Sequence, residues 1–177
     1  QRQLSFDGED SIVAVHGIRT EINATKFTHT LRDGVYEGGN GGYGALNLAL
    51  CMGASTIYLL GFDMSSSNDM AENFHDGYPA KHQRANIYTN YRKAFETSAF
   101  LAKQRANVVN LNPKSMLSCF PKAAAHSVLR NSAAHVDGIL RDGAWKGQRC
   151  FIVGGGASLR GFDWSRLRGE LTIGVNR

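Results

Sequence analysis

The residues best suited to chemistry lie in one run near the C-terminus, Cys150-Phe151-Ile152-Val153-Gly154-Gly155-Gly156-Ala157-Ser158-Leu159. The apolar residues 150–153 read as a buried strand. Gly154, Gly155 and Gly156 then allow left-handed dihedrals and a close backbone approach to a ligand. Ala157 reads as the start of a helix over 157–160, whose free N–H groups and partial positive charge suit a phosphate. Ser158 adds a hydroxyl. The run is neither G-x-G-x-x-G nor G-x-x-x-x-G-K-[ST], and a plain tight turn uses the same glycines.

Four further positions join it. Asp63 closes the apolar run 56–60 through Gly61-Phe62 and reads as a ribose ligand, a loop organiser or a turn cap. Asn176 ends the strand 171–175 and can both donate and accept, although Asn is also an ordinary turn residue. His75 and His82 lie in the polar stretch 65–83. An unperturbed imidazole titrates near about 6.5, which suits a general base. A surface His beside Asp76 is an equally ordinary feature, and His16, after the first strand, is a lesser candidate. His75, Asp76 and His82 do not follow H-E-x-x-H spacing, so no metal site is read. Tyr78, Tyr88 and Tyr91 could contact a leaving phosphate, although core or surface packing accounts for each more simply.

The elements that must position these groups follow from periodicity. Residues 12–15 form a β-branched run that predicts a buried strand, and 18–33 are irregular. Residues 34–44 hold six glycines and read as a loop. Gly41 and Gly42 in it can approach a ligand. A helix follows over 45–52 with Gly53 at its C-terminal cap, then the strand 56–60. Residues 65–83 read as a long surface loop. Helical spacing covers 87–105, with Tyr88, Tyr91, Phe95, Ala99 and Ala102 near one face. Residues 108–111 predict a strand, 115–120 a short helix, 149–153 and 171–175 further strands. The Ala-rich stretch 123–145 predicts one or two amphipathic helices or a tether, which could also pack on a partner subunit in a homo-oligomer. Alternation of helices and strands predicts an α/β fold, a doubly wound and mostly parallel sheet of Rossmann-like kind.

Composition bounds the class. The chain has 177 residues, 42% hydrophobic and 20% charged, which fits one domain with its own core. No apolar run reaches the roughly 18 residues of a transmembrane helix. The net charge of +5 favours anionic partners such as nucleotides or phosphosugars. The cations are scattered, and no DNA- or RNA-binding motif is found. Cys51, Cys119 and Cys150 are odd in number and far apart. They predict a reducing, cytoplasmic setting, not a disulfide framework or a zinc site, and Cys51 and Cys150 read as core residues. No signal peptide is read, and the chain opens Gln1-Arg2 rather than on Met.

Three blocks resemble one family. The first is the glycine turn 154–159, then Gly161-Phe162-Asp163-Trp164-Ser165-Arg166-Leu167, then a strand ending at Asn176. It is similar to the opening of bacterial sialyltransferases of glycosyltransferase family forty-two. A related uncharacterised family, similar in turn to archaeal hydroxymethylpterin diphosphokinases, shares that opening. The second block, 40–50 followed by Gly53-Ala54 and the strand ending Gly61-Phe62-Asp63, resembles the family's central glycine loop, helix and strand. The third, Val108-Val109-Asn110-Leu111-Asn112-Pro113-Lys114-Ser115, resembles its downstream strand and turn. Ala157 stands where the family has Pro, and Gly155 where the sialyltransferases have Asn.

The block order departs from the family, because the glycine-turn block comes last. Circular permutation, segments joined out of natural order, and the start of a second domain are three accounts of this. We read residues 1–177 as one assembled domain, with 123–147 a helical linker or the permutation joint.

The resemblance implies a bacterial or phage nucleotide-sugar-binding transferase, sialyltransferase-like, with a CMP-linked donor and no required cofactor. The nucleotide would lie against Gly154, Gly155, Gly156, Ser158, Asn176, Gly41, Gly42 and Asp63, with His75 or His82 as base and the Lys/Arg excess favouring the leaving phosphate. The alternatives are a Mg-dependent diphosphokinase-like enzyme using ATP, with Asp63 and Asp163 as acidic groups, and a non-catalytic nucleotide-binding or structural module.

Overall fold

In chain order the elements are β1 (Gly17–Ile18), β2 (Val35–Tyr36), α1 (Gly41–Cys51), β3 (Thr56–Leu60), α2 (Ile87–Arg105), β4 (Asn107–Asn110), α3 (Ala125–Val128), β5 (Arg149–Val153) and β6 (Leu171–Gly174). The computed structural model describes residues 17–18, 26–65, 87–129 and 142–175. The strand expected over 12–15 lies outside them, as do His16, 66–86, 130–141 and Asn176.

β3 to β6 form a four-stranded, all-parallel sheet in the order β4-β3-β5-β6. β1 and β2 pair separately, also in parallel. Successive side chains of a strand point to opposite faces. Ile57, Leu59, Val108, Cys150, Ile152 and Leu171 are buried on the face that carries α1 and α2. Leu60 and Phe151 are buried on the other, with Tyr58, Val109 and Val153 partly covered there. This two-sided burial explains why the strands read as continuous apolar runs.

Crossover handedness distributes the connections. The chain moves from β3 to β4 in one lateral direction, through α2 on the first face. From β4 to β5 and from β5 to β6 it moves in the other direction. Parallel crossovers are right-handed, which directs these two connections to the second face, although Leu117, Phe120 and Trp145 of the first of them pack into the core beside α1 and α2. Ala125, Val128 and Leu129 pack on the second face, as do Leu159, Phe162 and Leu167.

The first face holds the main core. Phe95 of α2 is fully buried and meets the rings of Tyr43, Phe62 and Phe120, with centroids 5.5, 6.0 and 6.4 Å away. Burial of such a ring stabilises the fold by about 1.5–3 kcal/mol. Asn47 of α1 is also fully buried. Its Oδ1 accepts from Tyr36 N–H at 2.8 Å and Thr28 N–H at 3.2 Å, while its Nδ2 donates to the Thr28 carbonyl at 3.3 Å. One amide thus ties α1 to β2 and to the segment before it.

Several elements differ from expectation. α1 begins at Gly41 rather than at residue 45, because Asn40 caps it: its Oδ1 accepts the Tyr43 N–H at 2.9 Å. Gly42 and Gly44 are therefore helical, and β2 occupies part of the glycine-rich loop. Residues 115–120 contain no helix. There the Ser115 hydroxyl accepts the Leu117 N–H at 3.0 Å and donates to the Phe62 carbonyl at 2.6 Å, and such side-chain bonds compete with helix formation. Of the stretch 123–145, where one or two helices are expected, the described residues hold α3, and 130–141 lie outside them. Residues 157–160 form only a 3-10 turn, Ala157–Leu159.

Residues 142–148, at the far end of the expected joint, wrap the C-terminal end of α1. Gly143 N–H donates to the Cys51 carbonyl at 3.2 Å and Trp145 N–H to the Met52 carbonyl at 2.8 Å. Ser55 N–H then donates to the Gln148 carbonyl at 3.0 Å, which sets β5 beside β3. No helix among the described residues is long and apolar enough to cross a membrane.

Candidate functional site

The chain leaves β3 toward β4 on one side and β5 toward β6 on the other. No described connection runs between the C-terminal ends of β3 and β5, and this topological switch point is where open α/β sheets leave a crevice. Two turns border it: Gly61-Phe62-Asp63-Met64 after β3, and the glycine run 154–156 after β5.

These turns touch. Gly154 N–H donates to the Leu60 carbonyl at 2.7 Å, and Gly156 N–H to the Gly61 carbonyl at 3.0 Å. A Cβ at Gly154 would lie 2.8 Å from the Gly61 oxygen. One at Gly156 would lie 2.5 Å from the same oxygen and 2.8 Å from the Asp63 Cγ. Gly154 and Gly156 are thus required by the β3 turn itself. Gly61, with φ 74°, in turn leaves room for Leu159.

Asp63 sits between the two turns, half-buried. Its Oδ2 accepts the Ser158 N–H at 2.9 Å, and its Oδ1 accepts the Ser158 hydroxyl and, at 2.7 Å, the Asn112 side-chain amide. Of the roles considered for Asp63, loop organisation is the one its contacts display. The Asp63 carbonyl accepts the Met116 N–H at 2.8 Å. Met64, which follows, has φ 54°, the left-handed region that side chains rarely adopt. Its carbonyl is held by Arg92 at 3.1 Å.

The 3-10 turn changes the anion-binding argument. Three residues carry no macrodipole of consequence, and the Ser158 N–H is already taken. Among the described residues, the N–H groups of Gly155 and Ala157 have no hydrogen-bond partner, so they are the donors this turn offers.

Gly154, Gly155, Gly156, Ser158 and Asp63 are brought together. Gly42 lies in α1, buried beneath the Phe62 ring, where a Cβ would come within 2.7 Å of Cε1. Its lack of a side chain serves packing. Gly41 is exposed at the helix start. His75, His82 and Asn176 lie outside the described residues, as does Asp76. Asp163 caps its own turn, accepting from the Ser165 N–H at 3.1 Å and the Ser165 hydroxyl at 2.6 Å. Those two bonds hold its carboxyl below the usual range.

Asn112 was legible only as a turn residue, since nothing local to it announces a bond to a carboxylate from another strand. Two of the thiols are core groups, and Cys119 is partly buried against the core. Cys51 and Cys150 are buried, and desolvation pushes Cys119 and Cys150 up to about 12, so neither of these two is a nucleophile near neutrality.

No protein-family model, curated protein or solved structure matches the chain.

Proposed function

We propose that the crevice between the ends of β3 and β5 binds a nucleotide, and that the chain is a nucleotide-sugar-binding, glycosyltransferase-like protein. The observation that carries this reading is the strand order. If the glycine-turn block were first in the chain, β5 and β6 would be the opening strands and β3 and β4 later ones. The order β4-β3-β5-β6 is then that of a doubly wound sheet with its switch point at the glycine turn. This strand order supports a permuted, Rossmann-like reading of the blocks that resemble the sialyltransferases.

In this reading the Gly155 and Ala157 amides hold the donor's phosphate. His75 or His82 takes the proton of the acceptor hydroxyl. The acceptor oxygen bonds to the anomeric carbon, and the sugar–phosphate bond breaks with its electron pair leaving on CMP. The diphosphokinase-like alternative fits less well. Asp63 already accepts from Ser158 and Asn112, and Asp163 accepts from Ser165 through one oxygen, so Mg²⁺ would have to share both carboxylates with these donors. The close packing of Gly154 and Gly156 on Gly61 favours a second reading, a non-catalytic module that keeps the turn for its fold alone.

A thermal-shift panel of CMP, UDP, ADP, ATP and GDP, each with and without Mg²⁺, separates these. A ligand at about 100 times its Kd stabilises the native state by about 2.7 kcal/mol. Metal-independent stabilisation by CMP or UDP supports transfer, and Mg-dependent ATP binding the diphosphokinase. A flat panel on folded protein leaves the module.

A further inference from the structure

We propose that Asp63 is a positioning residue for the crevice: its carboxylate latches the glycine turn after β5 to the loop after β4, leaving the Gly155 and Ala157 amides to face a ligand phosphate. The inference rests on the nucleotide-binding reading for its ligand and on geometry for the latch.

Three strand ends meet at this one side chain. Asp63 leaves β3, Ser158 follows β5 and Asn112 follows β4, and the carboxylate accepts from both partners. An ionised carboxylate offers about four acceptor sites, and the two Ser158 donors with the Asn112 amide take three. Among the described residues no cation pairs with Asp63; the ion pair found there joins Arg149 and Glu170. Its charge is therefore stabilised by oriented dipoles, and these bonds are the stronger kind.

The latch is itself braced. The Phe62 carbonyl accepts the Ser115 hydroxyl at 2.6 Å and the Asn110 amide at 3.3 Å, and the Asp63 carbonyl accepts the Met116 N–H. Met64 is held in its left-handed conformation by the same surroundings, a strain that persists only where neighbouring contacts over-determine it. Gly156 completes the fit, since any side chain there would strike Asp63.

The consequence is selective. By occupying the Ser158 N–H and hydroxyl, Asp63 removes the two donors a simple phosphate loop would use. It aims the remaining donors by fixing the turn between Gly154 and Ser158. A ligand that approached Ser158 directly would meet the carboxylate and be repelled.

Native-state hydrogen exchange without nucleotide, followed by calorimetry with the five nucleotides, tests this on wild type, Asp63→Asn and Asn112→Ala. An amide cannot accept at both of its terminal atoms, so Asp63→Asn should speed exchange at the Ser158 N–H by about tenfold or more. The amides of α2 should not change. The Kd of whichever nucleotide binds wild type should weaken by about tenfold. Asn112→Ala should move both readouts in the same direction by less. Unchanged exchange at Ser158 overturns the latch. Faster exchange with unchanged affinity overturns its positioning role, because a turn that loosens without cost to binding is not aiming donors. If wild type binds none of the nucleotides, the binding reading fails on its own, and exchange alone decides the latch. If Asp63→Asn does not fold, Ser158→Ala removes one latch bond and keeps the amide; exchange there should still rise, and no change overturns the proposal.

Discussion

The two faces of the sheet are built differently. One is covered by α1 and α2, and its core includes Phe95, Tyr43, Leu46, Met52 and Leu117, all fully buried. The other is covered, among the described residues, by the single turn of α3 and by 3-10 turns over Leu159, Phe162 and Leu167. Its fully buried ring is Phe151, beside Tyr58 and under Arg149, whose guanidinium also pairs with Glu170. Among the described residues the helical face holds most of the buried apolar side chains, and hence most of the stabilising burial they provide. The other face carries the crossover from β5 to β6, and with it the glycine turn. Functional segments are commonly drawn from the less stable part of a fold.

The comparison is broken most directly in the cores. Phe95→Ala should cost about 3–5 kcal/mol by denaturant unfolding, with amides of both helices exchanging faster. Phe151→Ala should fall at or below about 3 kcal/mol, because its cluster holds fewer buried side chains among the described residues than that of Phe95. Equal costs would mean the faces are equally packed.

At the crevice, Gly156→Ala should cost about 1–3 kcal/mol, since its Cβ would enter the Gly61 carbonyl. Gly161→Ala, in the same crossover, meets nothing within 4 Å and has φ 74°. It should cost only the left-handed backbone penalty of about 1 kcal/mol. Only Gly156→Ala should speed exchange at the amides of residue 156 and Ser158, which donate to the Gly61 carbonyl and to Asp63. A reversed ranking would remove the close-approach argument for the turn.

Confined to high pH is an alkaline effect on the helical face. Burial raises the folded pKa of Cys119 and Cys150 to about 12, above the unfolded value near 9. The folded state then binds more protons between these values, so the contribution is complete below about pH 9 and declines as pH rises toward 12. Unfolding midpoints should fall across that window, and Cys150→Ala should flatten the slope at the cost of a cavity. A slope identical to wild type would sink the assignment.

The smallest effect belongs to the exposed turn at Asp163. Its carboxyl is held low by Ser165, so its contribution is present above the unfolded pKa and lost as pH falls through the folded one. Asp163→Asn should therefore matter near neutrality and converge with wild type in acid. A difference that grows in acid would contradict the cap.

Much of the fold was legible because it is local. The strands Thr56–Leu60 and Arg149–Val153 and the helix Ile87–Arg105 occupy the boundaries that periodicity assigns, since burial on one or both faces writes a period into the residues. Short elements were not legible in that way. The start of α1 depends on the Asn40 cap, the missing helix at 115–120 on bonds from Ser115 to another strand, and the short turn at Ala157 on Asp63.

The candidate site divides along the same line. Types and spacing alone determined that a strand runs into Gly154, Gly155 and Gly156, that another ends at Asp63, and that Cys51 and Cys150 are core residues. Only the tertiary structure decided that those two strands are neighbours, that the glycines are sized by Gly61, and that Asp63 spends its carboxylate on Ser158 and Asn112. The physical reason is distance along the chain. Asp63 and Ser158 are separated by 95 positions, and a hydrogen bond between them leaves no mark on either one's local sequence.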